Sequence, residues 1–311
     1  MSDTSQLQPL SVSMSGGLVK NKDAFTQDPS TATSLINLEP SIDGGYRRIN
    51  GYAKFHADVV PGAGVVLGVG GFAGEVIACR GDNVYASNGV AAWSLITSAR
   101  TGAEFYTFTK FFWAAEDVII MTDNINPAGR WNGSVYSTIN HANAPTTPNL
   151  CAEFNNSLVL TEENQLYVSA PNAENDFNPA NGAAQFALPA PITAIRKFRQ
   201  SLYIFGERYI RKLTGYGLSS YNMDSVTDST GCIASRSVQE VGGDLIFLAS
   251  DGLRTIAGTT KIDDVELGSV SRNIQSLLGN SAIPAANTNY VCSAVIRDKS
   301  QYRLYYGSSS S

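Results

Sequence analysis

The chain has 311 residues, of which 43% are hydrophobic and only 16% are charged, well under the roughly 25% of an average soluble domain. That length allows one large core or two modest domains, and the abundant Gly, Ser, Thr and Asn favour short strands joined by many turns. The net charge of −5 argues against a surface that reads nucleic-acid sequence, because such a surface needs clustered Lys and Arg.

Residues 1–45 are polar and carry turn signals at 28–30 (Asp-Pro-Ser) and 43–45 (Asp-Gly-Gly). Apolar residues are sparse there, so we predict an extended N-terminal arm that a scaffold or neighbouring subunit orders. The first ten residues lack the basic and apolar regions of a secretory signal. The longest apolar stretch, 59–69, is broken by Pro61 and three glycines and is far shorter than the about 20 residues of a membrane span.

From residue 46 onward a unit recurs in which a short β-prone run follows a polar turn. The runs begin at positions 76, 118, 158, 202 and 245, with spacings of 42, 40, 44 and 43 residues. Four of these runs continue through a short polar turn into a second β-prone run, and a further copy lies at 300–306. A period of roughly 40–45 residues with several strands per unit is typical of propeller blades. We therefore predict an all-β, β-propeller-like domain over residues 46–311.

Blades stacked around an axis bury both faces of each small sheet and leave short edges. A β-sandwich would also contain hairpins, but it gives no reason for a constant spacing near 42. One short inserted helix is predicted at 268–278, with Ser269 or Ser271 as its cap. The chain stops just after a strand, so either the natural chain continues past Ser311 or the strand at 46–55 completes the closing blade.

A search for chemistry finds no local constellation, and we predict no enzymatic activity and no cofactor. The two histidines, His56 and His141, have no metal-ligand spacing and are expected to be solvated surface residues. The four cysteines lie at least 60 residues apart and are expected to be buried free thiols. The glycine run at 68–74 has the wrong spacing for a phosphate cradle, so a turn or bulge is expected there.

Paired carboxylates of a propeller glycosidase could come from distant blades and would leave no local signal. The candidates are Asp123, Glu162, Glu163, Asp251, Asp263 and Asp264. Each is better explained as a turn residue, because Asp is favoured in turns for backbone reasons. Oxygen-rich stretches at 123–126 and 172–176 do not follow the calcium-loop pattern, and Asx turns are expected there instead.

Basic residues occur in three short groups that could contact a neighbouring subunit or DNA. They are Arg47, Arg48, Arg196, Lys197, Arg199, Arg208, Arg211 and Lys212. The last two groups flank the run at 202–205 and are expected to decorate one rim of the ring. Since no aromatic residues interleave them as a stacking platform, intersubunit or surface charge is favoured over binding of DNA.

Several segments together resemble one known family. Ser15-Gly16-Gly17-Leu18, the stretch Leu-Ile-Asn-Leu-Glu-Pro at 35–40 and Gly-Tyr-Arg-Arg-Ile-Asn-Gly-Tyr at 45–52 are similar to the start of tail proteins of short-tailed bacteriophages. Loose matches at 167–177, 231–254 and 264–274 extend the similarity over most of residues 15–306. The family is the phage tail nozzle, or tail tubular protein, with the related packaged-DNA stabilisation proteins.

The resemblance implies a virion structural protein, assembled in the host cytoplasm and located in the tail. Six copies would form a ring that docks on a portal, adapter or other tail protein, retains packaged DNA and later lets it pass without binding it specifically. No catalytic residues carry over, and the chain is shorter than typical nozzle proteins. Two alternatives stay open: a carbohydrate-binding or carbohydrate-cleaving propeller of a tail fibre or spike, and a cellular propeller scaffold for peptides.

Overall fold

Regular structure in the protein is mainly antiparallel β-sheet. The computed structural model describes residues 15–23, 25–41, 44–113, 116–257, 270–278, 283 and 285–307. Within these residues, six sheets follow one another along the chain, and a two-stranded N-terminal ribbon precedes them. Each of the six sheets is an antiparallel meander whose strands are neighbours in sequence order.

The strands have the following bounds. The N-terminal ribbon consists of β1 (Leu38–Pro40) and β2 (Tyr46–Arg48). Sheet 1 consists of β3 (Val66–Phe72), β4 (Glu75–Arg80), β5 (Asn83–Ser87) and β6 (Ser94–Thr97). Sheet 2 consists of β7 (Thr107–Trp113), β8 (Glu116–Thr122), β9 (Gly129–Trp131) and β10 (Tyr136–Thr138). Sheet 3 consists of β11 (Leu150–Phe154), β12 (Ser157–Glu162), β13 (Gln165–Val168) and β14 (Ala184–Ala187).

Sheet 4 consists of β15 (Ile192–Phe198), β16 (Ser201–Gly206), β17 (Ile210–Thr214) and β18 (Asn222–Thr227). In sheet 5 the structure describes three strands, β19 (Gln239–Val241), β20 (Asp244–Ala249) and β21 (Gly252–Thr255). In sheet 6 it describes two, β22 (Cys292–Ile296) and β23 (Gln301–Tyr305).

The repeated runs of the sequence are the second strands of the sheets. The five runs correspond to β4, β8, β12, β16 and β20, and the copy at 300–306 corresponds to β23. The second β-prone runs are β5, β13, β17 and β21, which pair with them in antiparallel register. The predicted all-β, propeller-like fold is therefore confirmed.

The second strands of sheets 1 to 5 have apolar centres because both of their faces are covered. In β8, Ile119 and Met121 face an apolar cluster shared with sheet 1, whereas Val118 and Ile120 face one shared with sheet 3. Alternate side chains of a strand point to opposite faces. The described residues form five such clusters, one at each junction between consecutive sheets.

The sheets follow one another around a common axis. Residues of the first strand of every sheet, namely β3, β7, β11, β15, β19 and β22, line one central cavity. Two sheets packed face to face would not bring six first strands around one cavity. This circular order separates the fold from the β-sandwich alternative.

The junction between sheet 6 and sheet 1 has no apolar cluster among the described residues and is spanned by the N-terminal segment, residues 15–64. Glu39 of β1 forms ion pairs with Lys299 and Arg303 next to and within β23. Farther along, Arg80 of β4 donates through Nε to the carbonyl of Gly64 at 2.9 Å. The segment thus contacts the last sheet and the first. The strand predicted at 46–55 is present only as β2, which pairs with β1 and not with sheet 6.

Five short 3-10 helices lie among the described residues, at Pro179–Asn181, Ser235–Ser237, Arg272–Leu277, Ala285–Tyr290 and Arg297–Lys299. The third lies within the predicted helix at 268–278, of which residues 268 and 269 are outside the described residues. Ser271 precedes it, but its hydroxyl accepts from the backbone N–H of Leu253 and does not cap the helix. No helix in the described part of the chain is long and apolar enough to cross a membrane.

Candidate functional site

Three of the eight basic residues singled out in the sequence form ion pairs within the chain. The pairs are Arg47 with Glu39 at 2.8 Å, Lys197 with Glu153 at 2.5 Å and Arg211 with Asp228 at 2.5 Å. Lys197 and Glu153 belong to the first strands of sheets 4 and 3, so this pair joins neighbouring sheets. These three side chains stabilise contacts inside the subunit.

The remaining five basic residues do not all lie on one rim of the subunit. Arg199 and Arg208 lie at opposite ends of the six-residue strand β16, which separates them by roughly 20 Å at about 3.3 Å per residue. Arg199 donates to the carbonyl of Gly243 at 3.0 Å, and Arg196 lines the central cavity. Arg48, Arg208 and Lys212 have no side-chain partner among the described residues.

The candidate carboxylates have structural partners. Asp123 is fully buried, pairs with the equally buried Arg100 at 2.8 Å, and accepts from the backbone of Ile125 and Asn126. Those backbone contacts make the Asx turn expected at 123–126. The pair fixes the loop after β6 against the loop after β8, at the junction of sheets 1 and 2.

The other carboxylates are likewise held by their turns. Glu162 accepts from the backbone and hydroxyl of Thr147, and Asp251 pairs with Arg254. Glu163 is exposed in a left-handed turn conformation with φ of 52°. Asp263 and Asp264 are outside the described residues. Within the described residues, no three His, Cys, Asp or Glu side chains are placed to hold a metal ion.

His56 is buried, so the prediction of a solvated surface residue is wrong for this histidine. Its Nδ1 accepts from the backbone N–H of Asp58 at 2.8 Å, and its Nε2 lies 3.0 Å from the carbonyl of Ala91. The Nδ1 contact fixes the turn within the N-terminal segment, and the Nε2 contact holds that segment against the loop between β5 and β6 of sheet 1. Because these partners are backbone groups, the local sequence gave no signal for them.

Large exposed apolar side chains concentrate in one stretch of the chain. Of the 21 described residues of this kind, 10 lie between positions 25 and 69. They are Phe25, Ile36, Leu38, Ile49, Tyr52, Phe55, Val59, Val65, Val66 and Val69, of which Val66 and Val69 face the central cavity. Scattered exposed apolar residues are ordinary, but a concentration of them marks an interaction surface. We call residues 25–69 the apolar segment.

The central cavity has a volume of about 530 Å³. Gly68 and Gly70 of β3 face aromatic side chains of sheet 2 here: a Cβ at Gly68 would lie 2.6 Å from Cβ of Tyr106, and one at Gly70 would lie 3.1 Å from Phe108. The glycine run seen in the sequence is thus required by a close approach of β3 to these two rings. Most of the run 68–74 is strand β3, and the turn or bulge predicted there is found only at its ends, as a register shift between Val66 and Gly68 and a turn at Ala73 and Gly74.

Comparisons with known proteins bear on the fold. No protein-family model matches the chain, and no curated protein matches its sequence. Among solved structures, the chain is similar to the extracellular domain of the hybrid two component system BT4673 from B. thetaiotaomicron, with a TM-score of 0.56 and 15% identity, covering 87% of this chain and 36% of that one. The chain thus spans about a third of that structure.

Weaker similarities occur to two further structures. The WD40 domain of Neurospora crassa Pan2 gives a TM-score of 0.40 at 10% identity, covering 61% of this chain and 60% of that chain. The nidogen/laminin complex gives a TM-score of 0.40 at 10% identity, covering 61% of this chain and 74% of that chain.

Proposed function

We propose that the protein is a structural component of a bacteriophage tail, in which six copies form a ring around a conduit for double-stranded DNA. The ring docks on a portal, adapter or other tail protein, retains the packaged genome and later lets it pass. The proposal rests on the resemblance of the sequence to tail nozzle proteins and on the propeller-like fold. One observation of the structure carries it further, namely the apolar segment.

The apolar segment supports a role in assembly. The exposed fractions of its side chains are 98% for Phe25 and Tyr52 and 76% for Ile36 and Val59. Side chains of this size gain roughly 1.5–3 kcal/mol each when they are fully buried. Contact with a neighbouring subunit would bury them, and a segment of this kind can reach across to the next protomer in a closed ring.

The DNA conduit of this proposal lies between subunits. A cavity of about 530 Å³ corresponds to a cube of about 8 Å edge, whereas the major groove of a DNA duplex alone is about 12 Å wide. A duplex therefore does not fit through the centre of one propeller. A ring of several copies supplies the wider opening.

The test is the assembly state of the purified full-length protein, measured by light scattering and by end-on views in electron microscopy. We expect a ring of six copies with a central pore, formed alone or with the portal protein of a short-tailed phage. The double variant Tyr52→Ser, Val59→Ser is expected to lose the ring. The control Val90→Ser, which removes an apolar side chain that is 91% exposed outside the segment, is expected to assemble normally. A monomer under all conditions would overturn the proposal.

A second candidate function, carbohydrate binding, is favoured by a cavity of about 360 Å³ at the outer edge of sheet 3. The half-buried ring of Tyr167 and the amides of Asn143 and Gln185 line it, whereas Phe177 beside them is buried in the core. A ring that covers an apolar sugar face and amides that reach hydroxyls are a suitable combination for a saccharide. Calorimetric titration with host-surface polysaccharide tests this candidate, and Tyr167→Ala should abolish any heat of binding.

A further inference from the structure

The central cavity opens toward one face of the propeller-like subunit. A second cavity of about 260 Å³ at its mouth shares five lining residues with it: Tyr106, Thr107, Leu150, Ser235 and Arg236. The two cavities therefore form one axial channel. Their volumes are comparable to those of sites for small molecules, which measure roughly 300–1,000 Å³.

Two arginine side chains line the central cavity. Arg196 lies on β15, and Arg236 lies in the 3-10 turn Ser235–Ser237 that leads into sheet 5. Nη2 of Arg196 is 3.5 Å from Oε1 of Gln239. Arg236 donates to the backbone carbonyl of Asn289, and its guanidinium lies 4.5 Å from the centre of the Phe105 ring. Neither arginine forms an ion pair with a carboxylate of the described residues.

This lack of a carboxylate sets the two apart from many arginines of the same chain. Six others each form an ion pair with Asp or Glu: Arg47, Arg100, Arg130, Arg211, Arg254 and Arg303. No Asp or Glu is among the described residues that line the central cavity. A chain with a net charge of −5 thus has a central cavity whose charged lining groups are two cations.

The nearest carboxylates do not neutralise these cations at contact distance. Glu240 follows Gln239 on β19 and favours the charged form of Arg196 from beyond ion-pair range. Glu104 lies at the mouth, where its carboxylate accepts from the side-chain amide of Asn124 at 2.9 Å. Both guanidinium groups are reachable from the channel, since Arg196 is exposed and Arg236 is half-buried. Neighbouring protein atoms still lower the pKa of both arginines by displacing part of their water. A bound anion supplies the charged partner that neither side chain has among the described residues.

We propose that the axial channel is a binding site for a small oxyanion, a phosphate or a carboxylate group, held by Arg196 and Arg236. Guanidinium groups match both kinds of oxyanion through two parallel hydrogen bonds. The volume leaves space for a larger molecule that carries this group. The site does not depend on the proposed assembly function, since it lies within a single subunit.

Cys292 provides a reporter inside the channel. Its side chain lines the central cavity and is half-buried, whereas Cys79, Cys151 and Cys232 are buried. Burial also raises the pKa of Cys151 and Cys232 to about 11 and that of Cys79 further, which suppresses their thiolates. A neutral maleimide should therefore react first at Cys292, and mass spectrometry of the labelled peptide together with Cys292→Ser checks that assignment.

The experiment measures the rate of maleimide labelling of Cys292 in the full-length protein as the concentration of inorganic phosphate or, separately, of succinate is raised. Sodium chloride at matched ionic strength is the reference. We expect one or both oxyanions to slow labelling in a saturable manner. Protection by phosphate alone assigns a phosphate ligand, and protection by succinate alone assigns a carboxylate. If neither changes the rate relative to chloride, the proposal is wrong.

Arginine variants test whether the two guanidinium groups form the site. Arg196→Gln and Arg236→Gln should each lower the binding affinity of the protecting anion by about tenfold or more, since charge-assisted hydrogen bonds contribute roughly 1.5–3 kcal/mol. Arg208→Gln, which removes an exposed arginine outside the channel, should leave protection unchanged. If Arg236→Gln does not fold, Arg196→Gln decides alone. Equal protection in Arg196→Gln and the native protein would overturn the assignment.

Discussion

The junction between sheets 3 and 4 and the junction between sheets 6 and 1 are built differently. Between sheets 3 and 4, Phe154, Leu202 and Leu213 are fully buried in one apolar cluster. Across the other junction, the N-terminal segment contacts sheet 6 through the carboxylate of Glu39, which faces Arg47, Lys299 and Arg303. Every residue of β22 and β23 is half-buried or exposed.

The difference shows how the ring is closed. Apolar junctions form between sheets that are adjacent in sequence, so they assemble from contacts at short chain separation. The last junction joins positions about 260 residues apart, and loop closure over that distance is entropically unfavourable. Charged contacts there are weaker than an apolar core and depend on salt and pH. We infer that the junction between sheets 6 and 1, the sixth junction, is the least stable part of the circle of sheets within the subunit.

The largest effect is expected from a substitution that creates a cavity at the apolar junction between sheets 3 and 4. Phe154→Ala should lower the free energy of unfolding by about 3–5 kcal/mol, because it removes a fully buried ring and leaves a cavity. Arg303→Ala, on the face of β23 that meets Glu39, should cost about 1 kcal/mol at most, because this ion pair is partly exposed. Denaturant titrations of both variants measure the difference. Equal losses would contradict the proposed contrast between the junctions.

A loss of similar size is expected at the buried ion pair between sheets 1 and 2. Asp123→Ala leaves the guanidinium of Arg100 buried without its carboxylate and should cost about 3–5 kcal/mol. Asp228→Ala breaks the exposed pair with Arg211 and should change the unfolding free energy little. Adding Arg100→Met to Asp123→Ala should recover part of the loss, because an apolar side chain needs no partner there. No recovery would show that the loss comes from another contact of Asp123.

The repeat was visible in the sequence because second strands are covered on both faces. In β12, for example, five of the six residues are buried, and Leu158, Val159 and Leu160 at its centre form a continuous apolar run. First strands have one face toward the channel and carry mixed residues, as in β15, where Arg196 and Lys197 interrupt the apolar pattern. The strand count and the channel therefore could not be predicted from the same signal.

The partners of charged residues were likewise beyond sequence reasoning. Arg196 was singled out for its neighbours in sequence, but nothing near Arg236 indicates that it reaches the same cavity. The Arg100 and Asp123 pair joins two loops 23 positions apart, and Lys299 reaches Glu39 across 260 positions. Such pairs follow from the circular order of the sheets, which only the three-dimensional structure defines.

A smaller and local effect is expected at the sixth junction. Glu39→Gln removes the charge that Arg47, Lys299 and Arg303 share. Amide hydrogen exchange should become several-fold faster in β23 and in the N-terminal ribbon, while β12 and β16 stay protected. Glu163→Gln, a change of the same kind at an exposed turn, is the control. Faster exchange throughout the molecule would show that Glu39 supports the whole ring and not this junction.

The same junction should respond to acid before the rest of the ring does. The hydrogen bond from Lys299, followed by that from Arg47, lowers the pKa of Glu39 below its ordinary value of about 4.5. A carboxyl whose pKa is lowered by folding contributes stability above the unfolded value, and that stability is lost as pH falls through the folded pKa. Hydrogen exchange in β23 should therefore accelerate, relative to β12, between about pH 5 and the folded pKa.

Other carboxyls with lowered pKa values, such as Asp251 and Glu116, act elsewhere, so the ratio of exchange in β23 to that in β12 isolates Glu39. In Glu39→Gln the ratio should already be high at neutral pH and should change little with acid; an unchanged acid response in this variant would assign the transition to another carboxyl.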